Sequence, residues 1–421
     1  MNMNIKPELQ SMALGMSERI IPIHAAVKEM MDELVHPAAK RFEEAHAKAP
    51  TPWTYTDEML EIINGLKAEA KKRNLWNFWL TDSKSGYGLS TVEYAYLAEE
   101  MGKSPLGAET FNCAAPDTGN MEVLERYGAQ AHKDKWLKPL LEGEIRSAFL
   151  MTEPQVASSD ATNVSMSCEL DGDEYVLNGE KWWSSGAGDP RTALYITMVR
   201  TPSDDRPRHR QHSQILVDPE TPGITKLRAM QVFGNPDAPH GHFHLKFENV
   251  RVPKENLLVA EGAGFEISQG RLGPGRIHHC MRAIGMAERA LELMIQRSMS
   301  REAFGKPLYQ LGANYDIIAN SRIKIEQARL LCLKAAWMMD QGDPRQAAPW
   351  ISMIKVAAPI MAGEIIDEAI QMHGAGGISQ DFPLAEMYTH VRTLRLADGP
   401  DAVHRRQVAR RELRQYTQEK V

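Results

Sequence analysis

The chain has 421 residues, of which 43% are hydrophobic and 25% are charged, with a formal net charge of −6. A chain of this length exceeds one ordinary hydrophobic core, so two or three packed subdomains are expected. The negative charge excludes an overall basic field for nucleic acid or an anionic membrane surface, so anionic ligands need local sites.

The N-terminal segment MNMNIKPELQ lacks the basic-then-apolar order of a secretory signal. No apolar run approaches the roughly 20 residues that cross a bilayer. These features predict a cytoplasmic protein without integral membrane association. A reducing compartment also fits the cysteines, which are scattered without CxxC spacing: Cys113, Cys168, Cys280 and Cys332.

Residues 1–148 predict an N-terminal α-helical domain, because helical patterns follow one another and strand signals are scarce. The segment TVEYAYLAEEMG shows how such a helix begins. Ser90 is followed three residues later by Glu93, which is the spacing of a capping box. The helix is predicted to close near Gly102.

Residues 149–256 predict a middle β-domain of short segments with period-2 alternation. The pairs Asp171-Gly172 and Asn178-Gly179 have the composition of hairpin turns. The segment HFHLKF alternates as a half-buried strand does, with its apolar positions at Phe243, Leu245 and Phe247.

Residues 257–421 predict a C-terminal domain built as a four-helix bundle. Long helical patterns rich in strong helix formers return in SRIKIEQARLLCLKAAWMMDQG and APWISMIKVAAPIMAGEIIDEAIQMHG. Their broad apolar coverage suggests a bundle that also packs against other subunits. The fold class is therefore α+β, with an N-terminal helical domain, a middle β-sheet or barrel domain and a C-terminal helical bundle.

Three local patterns allow a binding and a structural interpretation. The GAGG cluster at Gly374 to Gly377 follows a helix and no strand precedes it, so a helix C-cap is favoured over a dinucleotide loop. In HGHFH, a metal site competes with a solvated strand face, which is favoured because no carboxylate or cysteine has ligand spacing. The residues are His240, His242 and His244.

The loop RTPSDDRPRHRQH offers guanidinium groups for a ligand phosphate, although a plain solvated loop is favoured. It holds Arg206, Arg208 and Arg210. No GxSxG elbow or other activated nucleophile stands out, so covalent catalysis is not indicated.

Three longer segments carry more weight together. They are FLMTEPQVASSDATN with the strand pair that ends in NGEKWWSSGAGDP, then SREAFGKPLYQLGANYD, and finally the stretch from QMHGAGGISQ to VARREL. Over nearly the whole chain the sequence resembles the acyl-CoA dehydrogenase family, with all three motifs in the expected order and spacing. TEPQVASSDATN and ADGPDAVHRR are most similar to the branch of human members ten and eleven and their bacterial relatives.

The resemblance implies an FAD enzyme that desaturates an acyl-CoA thioester and passes electrons to an electron-transfer flavoprotein. By this resemblance, Thr152 hydrogen-bonds the isoalloxazine ring, while Trp183 and Ser185 flank it. Ser158 and Ser159 compete for one role near the cofactor phosphate or the substrate. The remaining residues implied along the flavin in this domain are Phe149 and Met151.

The resemblance also assigns residues of the C-terminal domain. Arg301 and Phe304 match residues that hold the pyrophosphate and adenine side of FAD, which suits a guanidinium. A segment that reaches the FAD of a neighbouring subunit is matched by Gln371, Gly374, Gly376 and Gly377, so a homo-oligomer, dimer or tetramer, is implied. Arg276 and Arg410 match arginines near the substrate and its CoA portion, or alternatively form surface ion pairs.

Desaturation requires a carboxylate that takes the α-proton while the β-hydrogen leaves as hydride to the flavin. In the family the motif near the C-terminus is aromatic-Glu-Gly-Thr, and Ala397-Asp398-Gly399-Pro400 corresponds to it here. The resemblance thus makes Asp398 the base, with a side chain one methylene shorter, and places Gly399 beside the substrate. Pro400 replaces a threonine that helps to bind FAD; Asp401 partly replaces it or caps the following helix.

Other functions compete with this one. Nitroalkane oxidases resemble this fold and also use an aspartate base, and an acyl-CoA oxidase passes electrons to oxygen. A non-catalytic flavin-binding homologue is the alternative of another class.

Overall fold

A computed structural model describes residues 13–80, 85–414 and 416. The N-terminal segment on which the absence of a signal was predicted, residues 1–10, lies outside them. Among the described residues the helices are α1 Ile20–Met30, α2 His36–His46, α3 Asp57–Lys72, α4 Thr91–Met101, α5 Gly107–Thr110, α6 Asp117–Tyr127, α7 Gln130–His132, α8 Lys138–Leu141, α9 Gly264–Ser300, α10 Asn314–Asp340, α11 Pro344–His373, α12 Leu384–Thr393 and α13 Asp401–Leu413.

The strands are β1 Arg146–Leu150, β2 Ser167–Asp171, β3 Glu174–Ser185, β4 Thr192–Arg200, β5 His212–Val217, β6 Ile224–Met230, β7 His242–Pro253, β8 Glu302–Ala303 and β9 Lys306–Pro307. The predicted α+β class, helical then sheet then helical, is confirmed. The small β8–β9 hairpin was not predicted, because its two-residue strands are too short for an alternating pattern.

The described residues fall into two compact units. The helical unit takes its residues from Met1–Pro37, Thr81–Ala108 and Arg276–Val421, and the sheet unit consists of Ala38–Leu80 and Glu109–Gly275. Each unit has its own core.

The sheet unit contains a seven-stranded mixed sheet in the order β1-β4-β2-β3-β7-β6, with β5 paired to β4. The predicted alternation in β7 is confirmed, since its apolar side chains are buried in the core of the sheet: Phe243, Leu245 and Phe247. The pair Asp171-Gly172 forms the tight β2–β3 connection, where Asp171 faces Glu174.

The prediction of a turn at Asn178-Gly179 is wrong. Both residues lie inside β3, and the register with β7 shifts between Leu177 and Gly179. A side chain at Gly179 would have its Cβ 2.9 Å from Met166 Cγ, and its φ is +146°. Glycine here serves a bulge and a close approach, because pairing with β7 overrides the local turn preference.

In the helical unit, the capping box predicted for α4 is confirmed. Ser90 Oγ accepts a hydrogen bond from Glu93 N at 3.1 Å, and Glu93 Oε2 accepts one from Ser90 N at 2.9 Å. Gly374 ends α11 as predicted with a φ of +65°, although its ψ of −145° lies outside the αL region.

Helix α11 is the main apolar element of the helical unit. Within the described residues, one stretch, Pro344–Ile378, is long and apolar enough to span a membrane. An 18-residue window inside it has a mean hydropathy of 1.3, but 61% of that window is buried inside the protein. The sequence analysis predicted a long bundle helix here, and the burial is typical of a core helix.

Candidate active site

The turn between α12 and α13 presents Asp398. Asp398 has a φ of +55° and Gly399 a φ of +102°, so two consecutive residues are left-handed. Pro400 is the N-cap residue of α13, and its carbonyl accepts a hydrogen bond from Val403 N at 2.9 Å. A non-glycine residue at positive φ is uncommon, and such positions cluster at functional sites.

Three cationic or imidazole side chains hold the backbone of this turn. Arg276 Nε donates to the carbonyl of Asp398 at 2.9 Å, and His404 Nε2 lies 3.2 Å from the same oxygen. Lys355, only 1% exposed, donates to the carbonyls of Leu394 at 2.5 Å and Ala397 at 2.8 Å. The turn is therefore held through the carbonyls of its main chain.

His279 lies beside that carboxylate, with Nε2 at 3.6 Å from Asp398 Oδ2. Burial and the Arg282 guanidinium lower the pKa of His279 to about 3, so its imidazole is neutral at pH 7. Arg282 Nη2 lies 3.3 Å from His279 Nδ1 and can only donate, which places the imidazole proton on Nε2, facing Asp398. The carboxylate is thus next to a neutral N–H group.

The structure therefore brings two sequence-predicted residues, Arg276 and Asp398, into direct contact, but through the carbonyl of Asp398. Arg410 lies in the last turn of α13, with a half-buried side chain. Asp401, proposed as a substitute for the missing threonine or as a cap, accepts a hydrogen bond from Arg395 Nε at 2.9 Å.

The residues predicted for the nucleotide end of the cofactor lie at two places in the helical unit. Arg301 directly precedes the β8–β9 hairpin, and Phe304 at its tip is 96% exposed with a φ of +53°. Gln371 and the glycines lie together where α11 ends, and a side chain at Gly377 would place its Cβ 2.6 Å from Ile370 O. Exposure of a whole phenyl ring is unusual and typical of a binding surface.

In the sheet unit, Phe149 lies in β1, and Met151, Thr152 and Ser158 follow that strand. The carbonyl of Met151 accepts a hydrogen bond from Lys181 Nζ, and that of Thr152 accepts one from Trp182 N, both at 3.0 Å. Of the two competing serines, Ser158 Oγ accepts a hydrogen bond from Glu153 N at 2.9 Å, while Ser159 is exposed. Ser158 thus helps to fold the loop itself.

A buried ion pair that the sequence analysis missed holds this loop. Lys181 Nζ lies 2.8 Å from Glu153 Oε1, and the two side chains are 0% and 1% exposed. Burial lowers the pKa of Lys181 to about 8, whereas that of Glu153 is lowered in spite of its burial by the Lys181 charge and hydrogen bonds. The signal in the sequence was a lysine at an inward position of β3.

Near the end of β3, Trp183 lies within a register shift between Lys181 and Ser184, and Ser185 is the last residue of the strand. The Trp183 side chain is 39% exposed at a φ of +50°. Among the described residues, Trp182 Nε1 and Ser184 Oγ are buried without a hydrogen-bond partner. An exposed indole next to unsatisfied buried polar atoms suits a planar, polar cofactor, because unpaired polar groups carry a cost that a ligand can offset.

The structure gives carboxylate partners to several residues of the histidine and arginine patterns. His242 and His244 are half-buried rather than solvated, and their Nε2 atoms lie 3.3 Å from Asp237 and 2.8 Å from Glu180. Within the described ranges no group of three potential ligand residues could hold a metal ion.

In the arginine-rich loop, Arg206 pairs with Glu261 at 3.1 Å and Arg208 with Asp160 at 3.7 Å. The four cysteines are buried and free, as expected for core thiols.

The helical unit should lose stability in mild acid. Burial lowers the pKa of His404 to about 4 and that of His279 to about 3, against roughly 6.5 for histidine in an unfolded chain. Between these values the unfolded chain binds more protons, so the free energy of unfolding falls as the pH drops below about 6.5. We expect His404 alone to cost on the order of 1–2 kcal/mol at pH 5.

Urea unfolding at pH 7 and pH 5 measures this effect. His404→Gln should lessen the difference between the two pH values, whereas the exposed His209→Gln should leave it as in the wild type. Equal pH dependence in all three proteins would contradict the prediction.

The fold and the turn together define a class of protein: a chain of helical, curled-sheet and helical build that presents a carboxylate ahead of α13. Family profiles agree over most of the chain. The N-terminal domain of acyl-CoA dehydrogenases matches residues 18–144, their middle domain residues 148–250 and their C-terminal domain residues 262–413. The chain belongs to the acyl-CoA dehydrogenase family.

Individual relatives support the predicted branch. FadE2 of Mycobacterium tuberculosis, described as a candidate acyl-CoA dehydrogenase, is 50% identical over 403 residues, which cover 96% of this chain and 97% of FadE2. Human acyl-CoA dehydrogenase family member 11 is 52% identical over 389 residues, 92% of this chain and 49% of the human protein. The chain spans 52% of mouse member 11 and 37% of mouse member 10.

A solved structure from Mycobacterium abscessus, described as a candidate acyl-CoA dehydrogenase, has the same fold. It is 50% identical, with a TM-score of 0.91 over 96% of this chain and 100% of that one. The relatives and the solved structures agree with the family that the motifs predicted.

Proposed function

We propose that the chain catalyses FAD-dependent α,β-dehydrogenation of an acyl-CoA thioester and delivers the electrons to an electron-transfer flavoprotein. The observation that carries the proposal is Asp398, whose carboxylate stands on a positive-φ turn that Arg276, Lys355 and His404 fix through its carbonyl groups. Family membership supplies the substrate class and the reaction type.

In this proposal Asp398 takes the α-proton of the thioester. Because the base is one methylene shorter than glutamate, its position must be exact to within about 0.5 Å, and the main-chain hydrogen bonds of the turn meet that need. The N–H group of Asp398 is the proposed protein donor to the thioester carbonyl, which gains charge as the proton leaves. When bound, FAD supplies the acceptor for the β-hydride.

Residues of both units are proposed to hold FAD. In the sheet unit these are the loop after β1 and the exposed Trp183 with Ser185, and in the helical unit Arg301, exposed Phe304 and the end of α11. The end of α11 is also proposed to meet a second copy of the chain, so a homo-oligomer, dimer or tetramer, is part of the proposal. A cytoplasmic location is proposed from the buried free cysteines, which are typical of a reducing compartment.

An anaerobic titration tests the proposal. The purified protein should be yellow, and acyl-CoA thioesters from a panel of chain lengths should bleach its flavin absorbance, whereas a nitroalkane should not. The reduced protein should then pass its electrons to an electron-transfer flavoprotein and release little peroxide in air. Protein that stays colourless after added FAD, or that only a nitroalkane bleaches, would overturn the proposal, and abundant peroxide would overturn the proposed acceptor.

A further inference from the structure

The imidazole of His242 contacts two of the residues that are assigned to the flavin in the sheet unit, Ser185 and Trp183. Its Nδ1 lies 2.8 Å from Ser185 Oγ, and its ring lies 5.8 Å from the Trp183 ring, centroid to centroid, at 51°. The β3–β7 register pairs Ser185 directly with His242. The His242 side chain therefore contacts both the Ser185 hydroxyl and the Trp183 indole and helps to position them.

The other nitrogen of His242 faces a carboxylate. His242 Nε2 lies 3.3 Å from Asp237 Oδ2, and the His242 side chain is only 15% exposed. An ionised carboxylate can only accept, so a neutral imidazole in this place carries its proton on Nε2. His242 Nδ1 is then an acceptor, and the Ser185 hydroxyl must donate to it.

These contacts determine in which direction the Ser185 hydroxyl donates its hydrogen bond. With its proton directed at His242, the Ser185 oxygen turns lone pairs towards any other partner and acts there as a hydrogen-bond acceptor. A reduced flavin carries ring N–H groups that an oxidised flavin lacks. An acceptor placed against the ring therefore favours the reduced form.

We infer that Asp237 and His242 are positioning residues that fix Ser185 as a hydrogen-bond acceptor and thereby favour reduction of the flavin. The inference rests on the proposed function, because it takes Ser185 and Trp183 to be flavin contacts. It also gives a role to a histidine that the sequence pattern had assigned to a metal or to a solvated strand face.

A matched control stands two residues along the same strand. His244 Nε2 lies 2.8 Å from Glu180 Oε2, and its ring is 6.3 Å from that of Trp182. Among the described residues His244 Nδ1 has no hydrogen-bond partner, so this second histidine–carboxylate pair has no hydroxyl to orient. Both pairs set a carboxylate against a histidine of β7, and they differ in the link to Ser185.

The test compares the flavin reduction potentials of Asp237→Asn and His242→Phe with the wild-type holoenzyme. Asparagine donates to His242 Nε2 and so transfers the imidazole proton to Nδ1, which reverses the Ser185 hydroxyl. Phenylalanine keeps the ring beside Trp183 but removes both nitrogens. Because a hydrogen bond contributes about 1 kcal/mol, each change should make flavin reduction roughly five- to tenfold less favourable, about 20–30 mV for two electrons.

The sign of the shift separates this relay from simple electrostatics. Loss of the Asp237 charge alone would ease the addition of electrons and raise the potential, whereas loss of the relay lowers it. Glu180→Gln and His244→Phe should leave the potential unchanged. In the background of Ser185→Ala, Asp237→Asn should have no lowering effect, which a double-mutant cycle measures.

Potentials that are unchanged or raised in both Asp237→Asn and His242→Phe overturn the inference. If His242→Phe does not fold, the result for Asp237→Asn decides by itself. Suppose that the wild-type protein takes up FAD and is bleached by an acyl-CoA, but that the reduction potentials of its variants equal those of the controls. The inference is then overturned, and the proposed function is not affected. A wild-type protein without FAD defeats both.

Discussion

Asp398→Asn is expected to retain its FAD and to lose most of its substrate-dependent flavin reduction. The amide has nearly the shape of the carboxylate but cannot accept the α-proton. Loss of a positioned general base costs about 10²- to 10⁴-fold in rate. Hydrogen bonds to the carbonyls of Leu394, Ala397 and Asp398 hold the turn, so its backbone should keep its position in the variant.

Stopped-flow reduction by an acyl-CoA under anaerobic conditions gives the rate, and the flavin-to-protein absorbance ratio gives the FAD content. Asp381→Asn, an exposed acidic residue ahead of α12, should behave as the wild type. Asp398→Glu keeps a carboxylate and should retain more activity than the asparagine variant. Wild-type bleaching by Asp398→Asn would remove Asp398 from the mechanism.

Local signals in the sequence predicted local structure well. Ser90 and Glu93 are three residues apart, and their capping box formed as the spacing required. Strand β7 alternates over its own length, and its apolar side chains are buried. In both cases the interacting positions lie within one element, where periodicity and capping rules apply directly.

The hydrogen bonds that hold the Asp398 turn could not be predicted in the same way. Lys355 and Ala397 are 42 residues apart, and Arg276 and Asp398 are 122 apart. No spacing rule connects such residues, because only the packed fold brings them together. Family resemblance selected Asp398 and Arg276, but it did not show that Arg276 holds the carbonyl of the base.

The Asn178-Gly179 pair shows how a strong local signal fails. The dipeptide is typical of a hairpin turn, yet β3 continues through it because its two flanks both pair with β7. The cost of glycine in a strand is offset by the close approach of Met166, which a side chain would prevent. Tertiary pairing decided the conformation, and single-residue preference did not.

Lys181→Met should destabilise the sheet unit by about 3–5 kcal/mol, because it leaves Glu153 as a buried charge without its cation. Glu153 would keep its hydrogen bonds from Ser165 and Met166, which limits the loss. The carbonyl of Met151 also loses its donor, so the loop that carries Thr152 and Ser158 should loosen and FAD affinity should fall. Chemical unfolding and FAD titration measure the two effects.

The double variant Glu153→Leu/Lys181→Met should be more stable than Lys181→Met alone. Burial lowers the pKa of Lys181 to about 8 although Glu153 lies beside it, so desolvation outweighs their attraction and an apolar pair of similar size avoids that cost. Asp171→Asn breaks an exposed pair with Arg251 in the same sheet and should cost less than about 1 kcal/mol. If Lys181→Met lost no more unfolding free energy than Asp171→Asn, the buried pair would not be what holds the flavin loop. If the double variant were stable but still bound FAD poorly, the pair would determine the geometry of that loop more than the stability of the sheet.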